Sequence, residues 1–269
     1  MNGADTLTCW ATLWRIERRD GVTIALTDHD RDVMVDGEPY RAAPGMTPSA
    51  IVLEEGLDAD TMEARGALTA DAITAADLED GRWDGARVVV SAIDWSDPAA
   101  VPLAIAEGTI GAVEAGAHGF SAELRGVAAA LERPVTEATS PTCRAELGDR
   151  RCRVPMRPRR RIARVVASEG EMVTLDAVEP VTNAYGDGLL RWLDGANSGL
   201  EGAVLASDGA TVTLRVAPLH AVTAGERMLL REGCDKRLAT CTGRFGNAAN
   251  FRGEPFLPGI DLLTRYPGA

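Results

Sequence analysis

Residues 7–27 read LTCWATLWRIERRDGVTIALT, two runs of Leu, Ile, Val, Thr and Trp parted by an arginine-rich bend that ends in Asp20-Gly21. Branched and aromatic side chains suit a pleated, half-buried surface, and Asp-Gly tolerates the positive φ angles of a tight turn. The stretch therefore predicts a β-hairpin, Leu7 to Ile16 against Val22 to Thr27. The same punctuation recurs at Asp36-Gly37, Asp80-Gly81, Asp84-Gly85, Asp187-Gly188, Asp194-Gly195 and Asp208-Gly209. Val33 to Val35 with Pro39 to Arg41 reads as a second hairpin, Val88 to Ile93 as a buried strand, and Gly108 to Val113 with Phe120 to Leu124 as a third hairpin. Helical signal is short: Thr74 caps a turn or two through Leu78, and Val127 to Leu131 reads as one or two turns ended by Pro134.

Beyond this first β domain, residues 1–135, periodicity disappears. Residues 136–162 form an irregular connector rich in Cys, Arg and Pro, with Pro141, Pro155 and Pro158 breaking any regular element. Alternation returns over residues 163–232, where Ala163 to Val166, Met172 to Leu175, Leu189 to Leu193, Leu200 to Ala206, Thr211 to Val216 and Arg227 to Leu230 predict a small barrel or meander. Residues 233–269 are rich in Gly, Pro and Asn. They read as an ordered loop, because Phe245, Phe251, Phe256, Leu257, Ile260 and Tyr266 call for burial. No internal repeat or heptad is evident. The fold class is mainly β, with small barrel or sandwich domains and an irregular, cysteine-rich, metal-binding C-terminal region.

The 269 residues suffice for one or two packed units, and 45% hydrophobic content excludes a disordered chain. No run approaches the roughly 18 apolar residues of a membrane span, and the first residues lack the basic and apolar regions of a secretory signal. These features predict a soluble protein made in the cytoplasm. Charge is uneven: residues 1–143 carry 10 arginines against 25 acids, a balance of −15, while residues 144–269 carry 18 basic residues against 15 acids, a balance of +3. Phosphate binding depends on Lys and Arg, so the first half is unsuited to gripping nucleic acid.

Five cysteines carry the chemistry. Cys9 lies in the first strand between Leu7, Trp10 and Trp14 and reads as a small buried hydrophobe. The others form two pairs, Cys143 with Cys152 and Cys234 with Cys241, flanking the predicted barrel, so the barrel's two ends can return both pairs to one place. Separate core thiols, disulfides and one shared thiolate site are the three uses open to them. Structural zinc favours tight C-x2-4-C knuckles, which neither pair has. The wider spacing suits an iron–sulfur cluster, although it matches neither ferredoxin signature. Zinc stays open as the alternative. Arg144, Arg150, Arg151 and Arg153 either offset thiolate charge or form a solvated face for an acidic partner. The cluster Asp28-His29-Asp30-Arg31-Asp32 reads as a solvated hairpin end, and no G-x-S-x-G, H-E-x-x-H, Walker A or kinase motif occurs. Nothing points to an enzyme, and no catalytic residue is assigned.

At the cysteines the chain resembles a known family. Residues 143–154, CRAELGDRRCRV, and residues 233–253, GCDKRLATCTGRFGNAANFRG, are similar to the C-terminal region of hub proteins from gene transfer agents and siphophage tail tips, relatives of the lambda tail tip protein L. The opening strands share the likeness. The resemblance implies a structural, homotrimeric ring joining a distal tail protein ring to a tail tip or fibre-bearing protein. DNA would pass through the channel without specific binding, and the assembly would involve no membrane. It also implies an iron–sulfur cluster, of 4Fe–4S type, on Cys143, Cys152, Cys234 and Cys241. The competing readings are an iron–sulfur redox protein or enzyme using the same cysteines, and a zinc-stapled interaction module.

Overall fold

The computed structural model describes residues 9–43, 47–48, 61–67, 73–97, 99–115, 119–126 and 136–256. The helical turns expected over Val127 to Leu131 and the stretch from Leu257 onward lie outside them. Residues 1–135 and 136–269 form two compact units.

In the first unit, β1 (Trp10–Glu17), β2 (Thr23–Thr27), β3 (Val33–Val35), β4 (Glu38–Ala42), β5 (Thr47–Pro48), β6 (Thr61–Ala67), β7 (Arg87–Asp94), β8 (Leu103–Ala115) and β9 (Gly119–Gly126) make one sheet. Its order is β3-β4-β2-β1-β7-β8-β9-β6-β5 among the described residues. The opening hairpin is present, with Leu13 opposite Thr27 and Ile16 opposite Ile24. Consecutive residues Leu13 and Trp14 are both fully buried because the sheet is covered on both faces. Trp14 and Ile16 pack with Leu26, Val88, Val90 and Trp83. Ala11 and Leu13 pack with Val35, Tyr40 and Ile93. Asp36 and Gly37 join β3 to β4 with φ of 49° and 83°, the double positive φ of a type I′ turn. β4 then runs parallel to β2, a crossover that hairpin logic did not foresee. α1 (Ala75–Glu79) starts at Thr74, whose Oγ1 accepts the Asp77 N–H at 3.1 Å.

The second unit holds a closed barrel of β10 (Arg160–Glu169), β11 (Met172–Leu175), β12 (Leu189–Trp192), β13 (Glu201–Asp208), β14 (Thr211–Leu214) and β15 (Arg227–Arg231). Its interior is filled by alternate side chains, among them Val165, Val173, Leu190, Trp192, Val204, Val212, Met228 and Leu230. The barrel also corrects the reading that no repeat exists. Residues 165–175, VVASEGEMVTL, align with residues 204–214, VLASDGATVTL, at an offset of 39. Both strands bulge at the same place, Val165/Ala167 and Val204/Ala206, and both hairpins turn on a positive-φ glycine, Gly170 and Gly209. Exchanging β10, β11, β12 for β13, β14, β15 leaves the order β10-β11-β14-β13-β12-β15 unchanged. The barrel is thus two copies of a three-strand unit.

Three other expectations are corrected. Cys9 is half-buried, not a core residue, beside a Trp10 that is 56% exposed. Phe256 is 87% exposed where burial was expected. The stretch after Gly233 is no continuous loop: it contains α2 (Leu238–Gly243) and a 3-10 turn at Ala248–Asn250.

Candidate metal centre

Cys143 and Cys152 lie in the irregular segment before β10, and Cys234 and Cys241 follow β15, with Cys241 on α2. Barrel closure explains why these distant segments meet: β10 and β15 are paired neighbours, with Arg160 opposite Arg231, so the chain entering one and leaving the other emerges side by side. Backbone bonds then join the two segments. Cys143 N donates to Lys236 O at 2.8 Å, Arg144 N to Arg252 O at 3.0 Å, and Glu254 N to Ser140 O at 2.7 Å. The approach is close enough that a Cβ on Gly253 would come within 2.5 Å of Thr142 O. Lys236 Nζ donates to Ala145 O at 2.6 Å, and Asn247 Nδ2 to Cys152 O at 2.7 Å.

All four cysteines line one cavity, walled by Leu147, Val154, Phe245 and Phe251. All are free thiols. N–H donors face the sulfurs: Arg252 N lies 3.3 Å from Cys143 Sγ and Asn247 Nδ2 lies 3.7 Å from Cys152 Sγ. The Lys236 N–H is also bonded to Cys234, partly opposing the burial that pushes this thiol's pKa up. Burial pushes the Cys241 thiol up, and negative charge at Cys143, Cys234 and Cys152 raises it further. Among the described residues no trio of His, Cys, Asp or Glu side chains converges as a single metal ion requires. Four free thiols on one cavity are a donor set of the kind that either zinc or an iron–sulfur core takes.

The surrounding charges hold the loops in place. Asp149 caps the Cys152 turn, Oδ1 accepting from Cys152 N at 2.6 Å and Oδ2 from Glu146 N at 2.9 Å. Burial opposes its ionisation, but these N–H donors hold its pKa below the ordinary value. Arg144 is neither a free solvated charge nor directed at the thiols. It grips Glu254 bidentately at 2.6 and 2.7 Å, and Glu137 bridges Arg144 and Arg151. The sequence reading missed this clamp, together with Asn247, Glu232, Arg244 and the cation–π role of Phe245. The Asp28–Asp32 cluster is likewise structural in part: Asp28 accepts from Thr12 N at 2.7 Å and Asp32 from Ala42 N at 2.9 Å.

The Glu254 clamp sets a pH dependence. The Arg144 guanidinium, then the Ser140 N–H, lower the carboxyl from 4.5 to about 2. A depressed folded-state pKa means that the contact's contribution is present above the ordinary value and lost as pH falls from about 4.5 towards 2. Pepsin cleavage around residues 136–144 and 252–256 should therefore be slower in the wild type than in Arg144→Gln at pH 4.5. That difference should close as the pH approaches 2. A ratio of one at every pH would show that the clamp contributes nothing, and a constant ratio above one that its contribution does not depend on the Glu254 charge.

Comparison with known proteins places this chain, with its β scaffold and thiol-lined cavity, among the structural proteins of tailed phage-like particles. Residues 2–155 match the family described as baseplate hub protein, N-terminal attachment domain, and residues 183–261 match the one described as phage conserved hypothetical protein BR0599. The chain belongs to the baseplate hub protein family. A solved chain described as part of the virion of a native gene transfer agent particle is 37% identical, covers 98% of this chain and 93% of its own length, and has a TM-score of 0.82. No curated protein sequence matches.

Proposed function

We propose that the chain is the hub at the tip of a phage-like or gene transfer agent tail. It forms a homotrimeric ring between the distal tail ring and the tip protein, and DNA passes through its centre. The observation that carries this reading is the 37% identity sustained over 98% of the chain with a component of a gene transfer agent virion. The match of residues 2–155, which includes all of the first unit but Met1, to an attachment domain supports a docking role for that unit. Its acidic balance also suits a channel, since a repulsive wall lets a polyanion slide without sticking.

Cys143, Cys152, Cys234 and Cys241 would hold an iron–sulfur cluster. The shared cavity, the N–H groups facing sulfur and the apolar wall favour it. Bound there, the cluster supplies a covalent cross-link between segments about 90 residues apart in the chain. The residues do the rest: Asp149 sets the Cys152 turn, α2 presents Cys241, and Arg144 with Glu254 closes the outer edge.

Particles from producer cells lacking the gene should show tails without tips by negative-stain electron microscopy. Expression of the wild-type chain in trans should restore the tips. Complete, infectious or DNA-transferring particles in the deletion strain would refute the assignment.

A further inference from the structure

The two units differ in charge: residues 1–135 hold 10 arginines and 24 acids, a balance of −14, and residues 136–269 hold 18 basic residues and 16 acids, a balance of +2. On the first unit this charge gathers at a groove of about 710 Å³ between the segment 29–36 and the β7–β8 connection. Asp30, Asp32, Asp36, Asp94 and Asp97 line it, with Arg31 as the cation among them. Backbone N–H groups fix the acids in place: Asp97 Oδ1 accepts from Ala99 N at 2.9 Å and Asp94 Oδ1 from Ser96 N at 3.0 Å. The groove is also apolar. Val101 is 85% exposed, Met34 63% and Trp95 46%, the last with its ring 4.8 Å from that of His29.

The barrel of the second unit presents the complement. The outward side chains of β10 read Arg160, Ile162, Arg164, Val166, and those of the neighbouring strand β15 read Arg231, Leu229, Arg227. Register places Arg160 opposite Arg231, Ile162 opposite Leu229 and Arg164 opposite Arg227, so two cation rows bracket an apolar row. Like charges directly opposite one another destabilise a sheet. Internal carboxylates answer only part of this: Arg227 pairs with Asp194 at 2.7 Å, whereas no ion pair neutralises Arg160 among the described residues. In the duplicate three-strand unit, at the same offset of 39, Ala203 stands where Arg164 stands, so the fold does not require an arginine there. Bare phosphate would satisfy the cations but leave Ile162, Leu229 and Val166 facing water.

We infer that the Asp-rich groove of one copy receives the Arg160–Val166 face of a second copy. The contact is heterologous, groove to barrel, so repeating it around an axis closes a ring without using a self-complementary patch. It deepens, and rests on, the reading of the chain as a ring subunit, by naming which surfaces meet.

The test uses full-length chains in a charge exchange followed by light scattering. Asp30→Arg/Asp97→Arg and Arg160→Glu/Arg164→Glu should each weaken self-association about a hundredfold, as loss of close interfacial charge pairs does. Both should keep wild-type circular dichroism. A single chain carrying all four changes should reassemble, because each exchanged groove then meets an exchanged barrel face on the next copy. The two variants mixed one to one should associate with each other without closing a ring of three, since three places cannot alternate two chains. A four-change chain that assembles no better than either double variant would overturn the inference. So would variants that assemble like the wild type, which would leave the ring itself standing. A wild-type chain that stays monomeric at all concentrations would remove the ring reading as well. Retention of duplex DNA by the barrel face at physiological salt, without self-association, would overturn the inference in favour of a nucleic-acid surface.

Discussion

A Cys241→Ser chain, purified without oxygen, is expected to contain almost no iron or sulfide, and to be cut rapidly by protease on both sides of an intact barrel. The cysteine segments have little core of their own: Ala145, Cys152 and Val154 are buried together, with Cys143, Leu147 and Phe245 only partly covered. Burial of so few side chains contributes about 1.5–3 kcal/mol for each large one, against about 1–2 kcal/mol of backbone entropy for every residue ordered. A structural metal centre, by contrast, supplies on the order of 10 kcal/mol. Without it, residues 136–159 and 234–256 should loosen while residues 160–231, with Leu190, Val204, Met228 and Leu230 fully buried, stay protected. Limited proteolysis with mass spectrometry reads the pattern, and iron, sulfide and zinc analysis reads the centre. Cys9→Ser is the control, because Cys9 lies in the other unit and outside the cavity. A wild-type chain with one zinc and no iron would leave the cross-link argument standing and replace the metal. Unchanged proteolysis in Cys241→Ser would remove the cross-link itself.

What could be read beforehand followed the range of each signal. The barrel strands were legible because alternation is local: Thr211 to Leu214 buries Val212 and Leu214 and half-exposes the residues between. Hairpins were legible at Asp36-Gly37 and Asp208-Gly209, but the same pair at Asp80-Gly81 and Asp84-Gly85 lies in turns between α1 and β7 and joins no hairpin. The parallel pairing of β4 on β2 was not, since Leu26 opposite Arg41 depends on tertiary packing that no turn encodes. α2 escaped because LATCTG is six residues long and its N-cap, Arg237, makes no side-chain cap bond. The barrel's duplication was present in the letters but split by a 39-residue offset, and became plain only when matching bulges aligned it. At the candidate centre, the cysteines could be grouped by sequence spacing around a β unit. Their supporting residues could not, because Asn247 reaches Cys152 across 95 positions and Arg144 reaches Glu254 across 110.

One such long-range group should be the costliest polar site in the second unit to disturb. Glu232, 8% exposed, follows β15 and accepts from Arg159 Nη1 at 2.7 Å and Arg244 Nη2 at 2.6 Å. The two guanidinium groups also lie 4.7 and 4.8 Å from the centre of the Phe245 ring, a cavity wall. Arg244 donates onward to Ala184 O at 2.8 Å and Gly233 O at 3.2 Å. Barrel, cysteine helix and cavity therefore share one carboxylate. Truncating one member of a buried ionic group leaves uncompensated charge, so Glu232→Ala should cost about 3–5 kcal/mol. Glu201→Ala, which breaks the exposed pair with Arg191, should cost less than about 1 kcal/mol. Hydrogen exchange at the β10 and β15 amides confines the measurement to the second unit, where one two-state transition cannot be assumed for the whole chain. Replacing Glu232, Arg159 and Arg244 together by Met should recover much of the loss, since an apolar trio removes the unpaired charges. If Glu232→Ala cost no more than Glu201→Ala, the carboxylate would not be the link between the barrel and α2, and the bond from Cys143 to Lys236 with its neighbouring backbone contacts would have to hold the junction alone.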